Sequence, residues 1–332
     1  MTEVLLPVIW AGIIAFAILM YVLLDGFTLG TGILMPWMNP EQRDQAYSMI
    51  LPNWDGNQTW LVLGGASLYG AFPDAFGTLL PLLYLPLLVM VVALLFRGVA
   101  FEFRLKSKGG KAKWDLCFIV GSLIATFVQG MVLGAFIEGF DYPAAGELPA
   151  LSWLSWYSVF TGIALVFGYA LLGATRLILK TEGNITVTMR RIAKMLALII
   201  IVFALLVSLW TPFINPNIFI RWFRPDRLWL LILMPSVMIL AWLFLVRSLY
   251  KGWERAPFWC SILIFCCCYA GFAIGIWPNI VPHHMSIWAA ASPTVSLLFM
   301  LVGAGIMIPV LLLYTGYSYK IFGGKIREII HY

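Results

Sequence analysis

The chain has 332 residues, 62% of them hydrophobic and 11% charged, with a formal net charge of +6. An ordinary soluble domain carries about a quarter charged residues, so a water-soluble catalytic module is excluded and the bilayer is the solvent for most of this length. The positive excess sits in short loops, where it is a topological signature and an attraction to membrane lipid, and it needs no nucleic acid partner.

Apolar runs predict nine membrane-spanning helices, over 5–27, 59–72, 79–103, 114–137, 157–179, 192–213, 228–246, 258–277 and 295–317. A run of about 20 residues at 1.5 Å rise matches a hydrocarbon core of about 30 Å. The second run is too short to cross alone and is expected to extend back through the polar stretch near Trp54, which brings those polar residues into or beside the membrane. The first run has no basic leader and no small-x-small cleavage site, so it is expected to be a mature helix. The expected fold is all-α: a polytopic membrane protein of about nine transmembrane helices, forming one integral membrane domain over 1–332 with no soluble domain. Four spans, a basic connection and four more spans would allow two four-helix bundles plus one further helix.

Lys and Arg concentrate at Arg104, Lys106, Lys108, Lys111 and Lys113, at Lys180, Arg190, Arg191 and Lys194, at Arg247, Lys251 and Arg255, and at Lys320, Lys325 and Arg327. Nine spans put all four groups on one side, which the charge rule makes cytoplasmic, with the N-terminus outside and the C-terminus in the cytoplasm. The loop with Arg221, Arg224 and Arg227 falls on the other side and breaks the rule. Cys117, Cys260, Cys266, Cys267 and Cys268 all lie in apolar runs and read as small buried hydrophobes, with no disulfide or metal framework.

An ionisable side chain at the centre of a membrane helix costs about 2.5 to 3.5 kcal/mol on insertion scales, so those present usually face protein, water or a cofactor. Asp25 lies in LLDGFTLGTGIL, Asp55 in NWDGNQTW, Arg97 and Glu102 in LLFRGVAFEFR, and Glu138 closes the fourth span. Arg97, Glu102 and Glu138 are each within two turns of a span end, so snorkelling to the interface competes with a functional role. Asp25 and Asp55 are too short to snorkel far, and each precedes a glycine, so a functional or specifically paired role is expected. An aromatic belt explains Trp54 and Trp60, but not Asp55, Asn57 and Gln58 together with them.

Histidines ligate haem between membrane helices only when they face one another at similar depth. His283 and His284 are adjacent in a loop and His331 is next to the terminus, so the chain is expected not to hold a haem pair by itself, although Met ligation stays open. The glycines form no phosphate-cradling loop.

Further stretches complete a pattern: NWDGNQTWLVLGGASLYGAFP from Asn53, YALLGATRLILKTEG from Tyr169, IVPHHMSIWAAASP from Ile280 and LLYTGYSYKIFGGKI from Leu312. With the Asp25 and Arg97 motifs, they make the chain resemble, nearly end to end, subunit II of the cytochrome bd family of quinol oxidases, the cyanide-insensitive type included. The resemblance implies a respiratory complex of the bacterial cytoplasmic membrane. Its larger subunit I would hold haem b and haem d-type groups, oxidise quinol and reduce dioxygen to water with cytoplasmic protons. Subunit II would have no catalytic residue or metal of its own but would supply proton or oxygen access. By that match Asp55 resembles a buried proton-pathway carboxylate, Asp25 the acid of the first helix, and Trp54, Asn57, Gln58, Trp60, Arg97 and Glu102 belong to the haem-facing, gas-access or interface surface. Small single-helix accessory subunits and a bound quinone or lipid are further expectations. Three positions depart from the family pattern: Thr28 replaces a second acid, Ala289 follows Trp288 where an acid is common, and Arg176 stands where Trp or Tyr is common. The alternative from another class is a secondary transporter or channel subunit, and a third is a structural scaffold in which the acids only bond neighbouring helices.

Overall fold

The computed structural model describes residues 2–107, 109–140, 151–214 and 228–326. Lys108, Arg221, Arg224, Arg227, Arg327 and His331, and residues 141–150, lie outside them. The chain builds α1 (Thr2–Leu34), a 3-10 turn (Met35–Trp37), α2 (Pro40–Ile50), α3 (Trp54–Ala71), α4 (Pro73–Lys106), α5 (Lys111–Glu138), α6 (Trp156–Lys180) and α7 (Asn184–Ile214). Beyond residue 227 follow α8 (Leu228–Lys251), α9 (Ala256–Ile276), a short hairpin of β1 (Asn279–Val281) and β2 (Met285–Ser286), and α10 (Thr294–Ile321).

Eight of these helices are long and apolar enough to cross a membrane. The ninth expected span is α3, which starts at Trp54 and so takes in the polar stretch; its 18 residues reach about 27 Å at the α-helical rise. Its first turn is too polar for the helix to qualify by composition. The short α2 lies between α1 and α3, started by a capping box in which Asn39 and Gln42 satisfy each other's backbone amides.

Helix α1 is the hub. It packs on α3, α5 and α6, while α4 packs on α5 and α5 on α6. Helices α6, α7, α8 and α9 form a second group, and α10 lies against α1 and α3. From Asp25 to Leu34 every residue of α1 is buried, because α6 approaches there at backbone contact. A Cβ on Gly30 would sit 1.7 Å from the Tyr169 carbonyl oxygen, and one on Gly173 would sit 2.5 Å from the Gly30 carbonyl carbon. Small residues let helices approach this closely in a membrane, where no hydrophobic force drives them together. Gly173→Ala must push two backbones apart, so it is expected to cost about 3 kcal/mol, the upper end of overpacking. Gly12→Ala on α1, where a Cβ meets nothing within 4 Å, serves as the silent control. Thermal melting of the detergent-solubilised complex measures both, and equal melting of the two variants would count against the close-packing account.

The basic groups meet at one end of the bundle. Arg104, at the end of α4, pairs with Asp44 of α2 at 2.7 Å and with Asp115 of α5. Arg43 of α2 reaches Asp115 at 3.2 Å, and the Arg104 guanidinium lies 4.1 Å from the Tyr47 ring centroid. Burial, then the neighbouring Asp115 charge, pushes the Tyr47 hydroxyl well above its ordinary range. Lys325, after α10, bridges Glu254 at 2.8 Å and Glu182 at 3.4 Å, and the Glu254 bond leads in holding its ammonium above the usual lysine value. These pairs tie the α6–α7 and α8–α9 connections to the tail.

Candidate functional site

Asp25 of α1 and Arg97 of α4 form a two-pronged ion pair, with Arg97 Nη1 donating to Oδ2 at 2.9 Å and Nη2 to Oδ1 at 2.7 Å. Both side chains are fully buried. Arg97 therefore does not snorkel. Its guanidinium turns inward to the acid and lies 6.0 Å from the ring centroids of Phe101 and Phe118. The fork of a guanidinium matches a carboxylate's two oxygens, which is why arginine and not lysine suits such a buried pair.

A polar string extends from this pair. Tyr21 and Thr28 lie about one helical turn before and after Asp25 on α1, and both are buried. Gln129 of α5 donates to the Tyr21 oxygen at 2.7 Å and accepts from the Tyr169 hydroxyl of α6 at 3.1 Å. On the other side Asn57 of α3 donates to the Leu24 carbonyl at 2.9 Å and lies 3.5 Å from the Thr28 hydroxyl. The Tyr319 hydroxyl of α10 donates to Asn57 Oδ1 at 3.0 Å. Six helices thus share one hydrogen-bonded interior, in which hydroxyls and carboxamides can pass or orient protons while staying neutral. Thr28 contributes a hydroxyl that donates to the Leu24 carbonyl at 3.2 Å, where a second acid would have added charge.

The remaining residues of the α3 motif point elsewhere. Asp55 is exposed, which corrects the expectation of a carboxylate buried within this chain. It opens a stripe of exposed residues, Asp55, Thr59, Val62, Gly65, Ala66 and Tyr69, at helical spacing along one face of α3. Gln58 beside it is half-buried, and its Nε2 is buried without an acceptor. Trp54 is half-buried and stacks on Phe101, with centroids 5.1 Å apart and planes 15° apart.

Trp60 is wholly buried, packed with Ala17 and Tyr21 and edge-on to Phe16 at 5.7 Å, so it belongs to the α1–α3 interior and not to a surface. Of the glycines of α3, Gly64 and Gly70 face inward, towards Ile18 and Met300, and Gly65 alone of Gly64, Gly65 and Gly70 lies on the outer stripe. Glu102 is exposed and pairs with Lys106 at 3.4 Å on its own helix.

The structure thus joins Asp25, Arg97 and Asn57, sets Asp55 and Gln58 on a different face, and leaves Glu102 apart. Sequence reasoning missed Tyr21, Gln129, Tyr169 and Tyr319. A signal existed for one of them: Gln129 is a carboxamide in the middle of an apolar run, which in lipid demands a partner. The tyrosines gave none, since a membrane helix carries tyrosine for many reasons.

Between α5, α6, α7, α8 and α9 lies a cavity of about 590 Å³, lined by Leu165, Ile200, Phe203, Met238, Phe265 and other apolar side chains. His283 and His284 occupy the turn between β1 and β2, with His283 at φ 59°. Among the described residues no three of His, Cys, Asp and Glu gather as a metal site. Two adjacent turn residues cannot clamp a haem from facing helices, so these histidines do not fit that group.

A family model described as cytochrome bd terminal oxidase subunit II matches residues 6–322. The chain is 24% identical, over 365 aligned positions covering 97% of it and 96% of the relative, to the cytochrome bd-I ubiquinol oxidase subunit 2 of Escherichia coli (strain K12). It is 31% identical over 195 positions, 56% of this chain and 57% of the relative, to the cytochrome bd ubiquinol oxidase subunit 2 of Bacillus subtilis (strain 168). Among solved structures, the bd oxidase from Geobacillus thermodenitrificans superimposes with a TM-score of 0.78, covering 96% of this chain and 98% of that one at 18% identity. At that identity the likeness shows the fold alone.

Proposed function

The chain belongs to the cytochrome bd terminal oxidase subunit II family, and from that premise we propose that it delivers protons through Asp55 to a haem-bearing subunit packed against α3. It is one subunit of a bd-type quinol oxidase, with a subunit I as partner and haem in the complex, and a transporter is not favoured.

One observation carries the proposal. The face of α3 that leaves the chain begins with a carboxylate and continues through Thr59, Val62, Gly65 and Ala66. Lipid tails do not solvate a carboxylate, and the small residues allow a neighbouring helix to approach. A protein partner is the natural cover. Asp55 then lies at the boundary between the two subunits, where it can take a proton from the basic end, which the charge rule makes cytoplasmic, and pass it across. Gln58, one turn further along α3, is the neutral hydrogen-bonding group next to it on that side, and Trp54, stacked on Phe101, immediately precedes it.

In this reading haem b and haem d-type groups belong to the partner, quinol is oxidised there, and the N-terminus lies outside. The cavity between α5 and α9 has the size and lining for the chain of a lipid or a quinone. Asp25 is better suited to hold than to carry, because both its oxygens are engaged by Arg97.

Cysteine cross-linking tests the placement. Val62→Cys, on the exposed stripe, is expected to cross-link to the partner subunit and to resist membrane-soluble maleimide in the assembled complex. Leu313→Cys on α10, 74% exposed before substitution, supplies a second face for comparison. Free labelling of Val62→Cys in the intact complex would move the partner to another surface.

A further inference from the structure

Arg176 and Lys180 stand one helical turn apart at the basic end of α6, and both are buried, at 8% and 4% exposure. Neither meets a carboxylate among the described residues. Asp25 is taken by Arg97, and Glu182 and Glu254 by Lys325. The Lys180 ammonium donates to the carbonyls of Phe322 and Gly324, the latter at 2.9 Å, which leaves one of its three N–H groups. Arg176 is ringed by Phe27, Phe258 and Tyr319, whose centroids lie 4.9, 5.0 and 5.4 Å from the guanidinium carbon, and its Nε is buried with no acceptor.

A guanidinium keeps its proton in any protein environment. Aromatic faces attract it but carry no net charge. Two buried cations within one turn, with no carboxylate paired to them among the described residues, form a site whose cost falls when a counter-charge arrives.

Two of the helices around them are not packed on each other. Helices α9 and α10 each lean on α1 but make almost no contact with one another. Phe258 lines the resulting crevice from α9, Tyr319 from α10 and Phe27 from α1. Lys180 is the last residue of α6 and Phe322 follows the end of α10, so the cations lie at the depth where headgroups begin. Above them α10 offers exposed apolar residues, among them Phe299, Val302, Ile306 and Leu313.

We infer that this crevice binds an anionic phospholipid, its phosphate on Arg176 and Lys180 and its acyl chains along α10. A phosphate matches two converging donors of this kind, and basic pockets between membrane helices on the cytoplasmic side take such headgroups. Tyr319, which faces the bound group through Arg176, also donates to Asn57, so the lipid would steady one end of the polar string.

The test is native mass spectrometry of the assembled complex, purified in neutral detergent and titrated with phosphatidylglycerol, phosphatidylcholine and inorganic phosphate. The wild-type complex is expected to retain an anionic phospholipid that phosphatidylcholine and millimolar phosphate do not replace. In Arg176→Gln, retention is expected to weaken about tenfold or more, the scale of a lost charge-assisted contact, whereas Arg176→Lys keeps it. Should Arg176→Gln fail to assemble, Arg176→Trp places there a residue common in the family and is expected to lose the lipid alike. If no variant assembles, delipidated wild type must gain thermal stability from phosphatidylglycerol and not from phosphatidylcholine, and its failure to do so overturns the inference. Equal retention in wild type and variants overturns it as well. So does loss of the partner subunit from Arg176→Gln with the lipid retained, which would assign the counter-charge to a partner carboxylate. An effect of Glu328→Gln equal to that of Arg176→Gln, with no lipid bound, would assign it to the chain's own tail.

Discussion

Asp25→Asn is expected to abolish assembly of the complex or lower its stability by about 3–5 kcal/mol, the cost of leaving one partner of a buried ion pair uncompensated. Both groups are fully buried and joined by two short bonds, so the variant strands a guanidinium that cannot release its proton. Arg97→Gln should cost less, because a lone carboxyl can take up a proton and become neutral. Replacing both residues by neutral ones of similar volume should be milder than Asp25→Asn, since no charge is then stranded. The measurement is thermal melting and haem content of complexes purified with each variant, compared as a double-mutant cycle. Single variants that melt like wild type would show that the pair contributes little. A cycle with no coupling would show that the two side chains act separately.

This prediction differs from what the motif alone suggests, and the difference marks where sequence stops being informative. The helices were legible because the apolar runs have the bilayer's own length, and the backward extension of α3 to Trp54 followed from its shortness. The partner of Asp25 was not legible. Arg97 is 72 residues away and close to a span end, where snorkelling is the ordinary expectation. Only the packing of α4 on α5, which itself packs on α1, decides that its side chain turns inward. The same holds for Asp55 and Asn57, two positions apart on α3. A helix rotates about 100° per residue, so two residues separate a side chain that bonds the α1 backbone from one that leaves the molecule. Composition ranks both as polar residues in a membrane and cannot rank their faces.

That division sets the expectation for Asp55. A proton bound for a buried oxygen-reducing centre cannot cross a low-dielectric layer as a free ion, so its route needs titratable groups joined by water or hydrogen bonds. Asp55 is the acid of the exposed α3 stripe, and its two oxygens are not committed to any ion pair among the described residues. Replacement by asparagine keeps the volume and removes the exchangeable proton. Quinol-driven oxygen uptake per haem is therefore expected to fall about a hundredfold in Asp55→Asn, the lower end of what a positioned proton-transfer group contributes. Assembly should survive, because no buried partner is stranded. Asp55→Glu should restore part of the rate by returning the acid on a longer stem, and Glu102→Gln should be silent, since that side chain is exposed and bonded only to Lys106 on its own helix. The reduced-minus-oxidised haem spectrum checks assembly in each case. Wild-type turnover in Asp55→Asn would remove the acid from the proton route and leave the α3 stripe a packing surface.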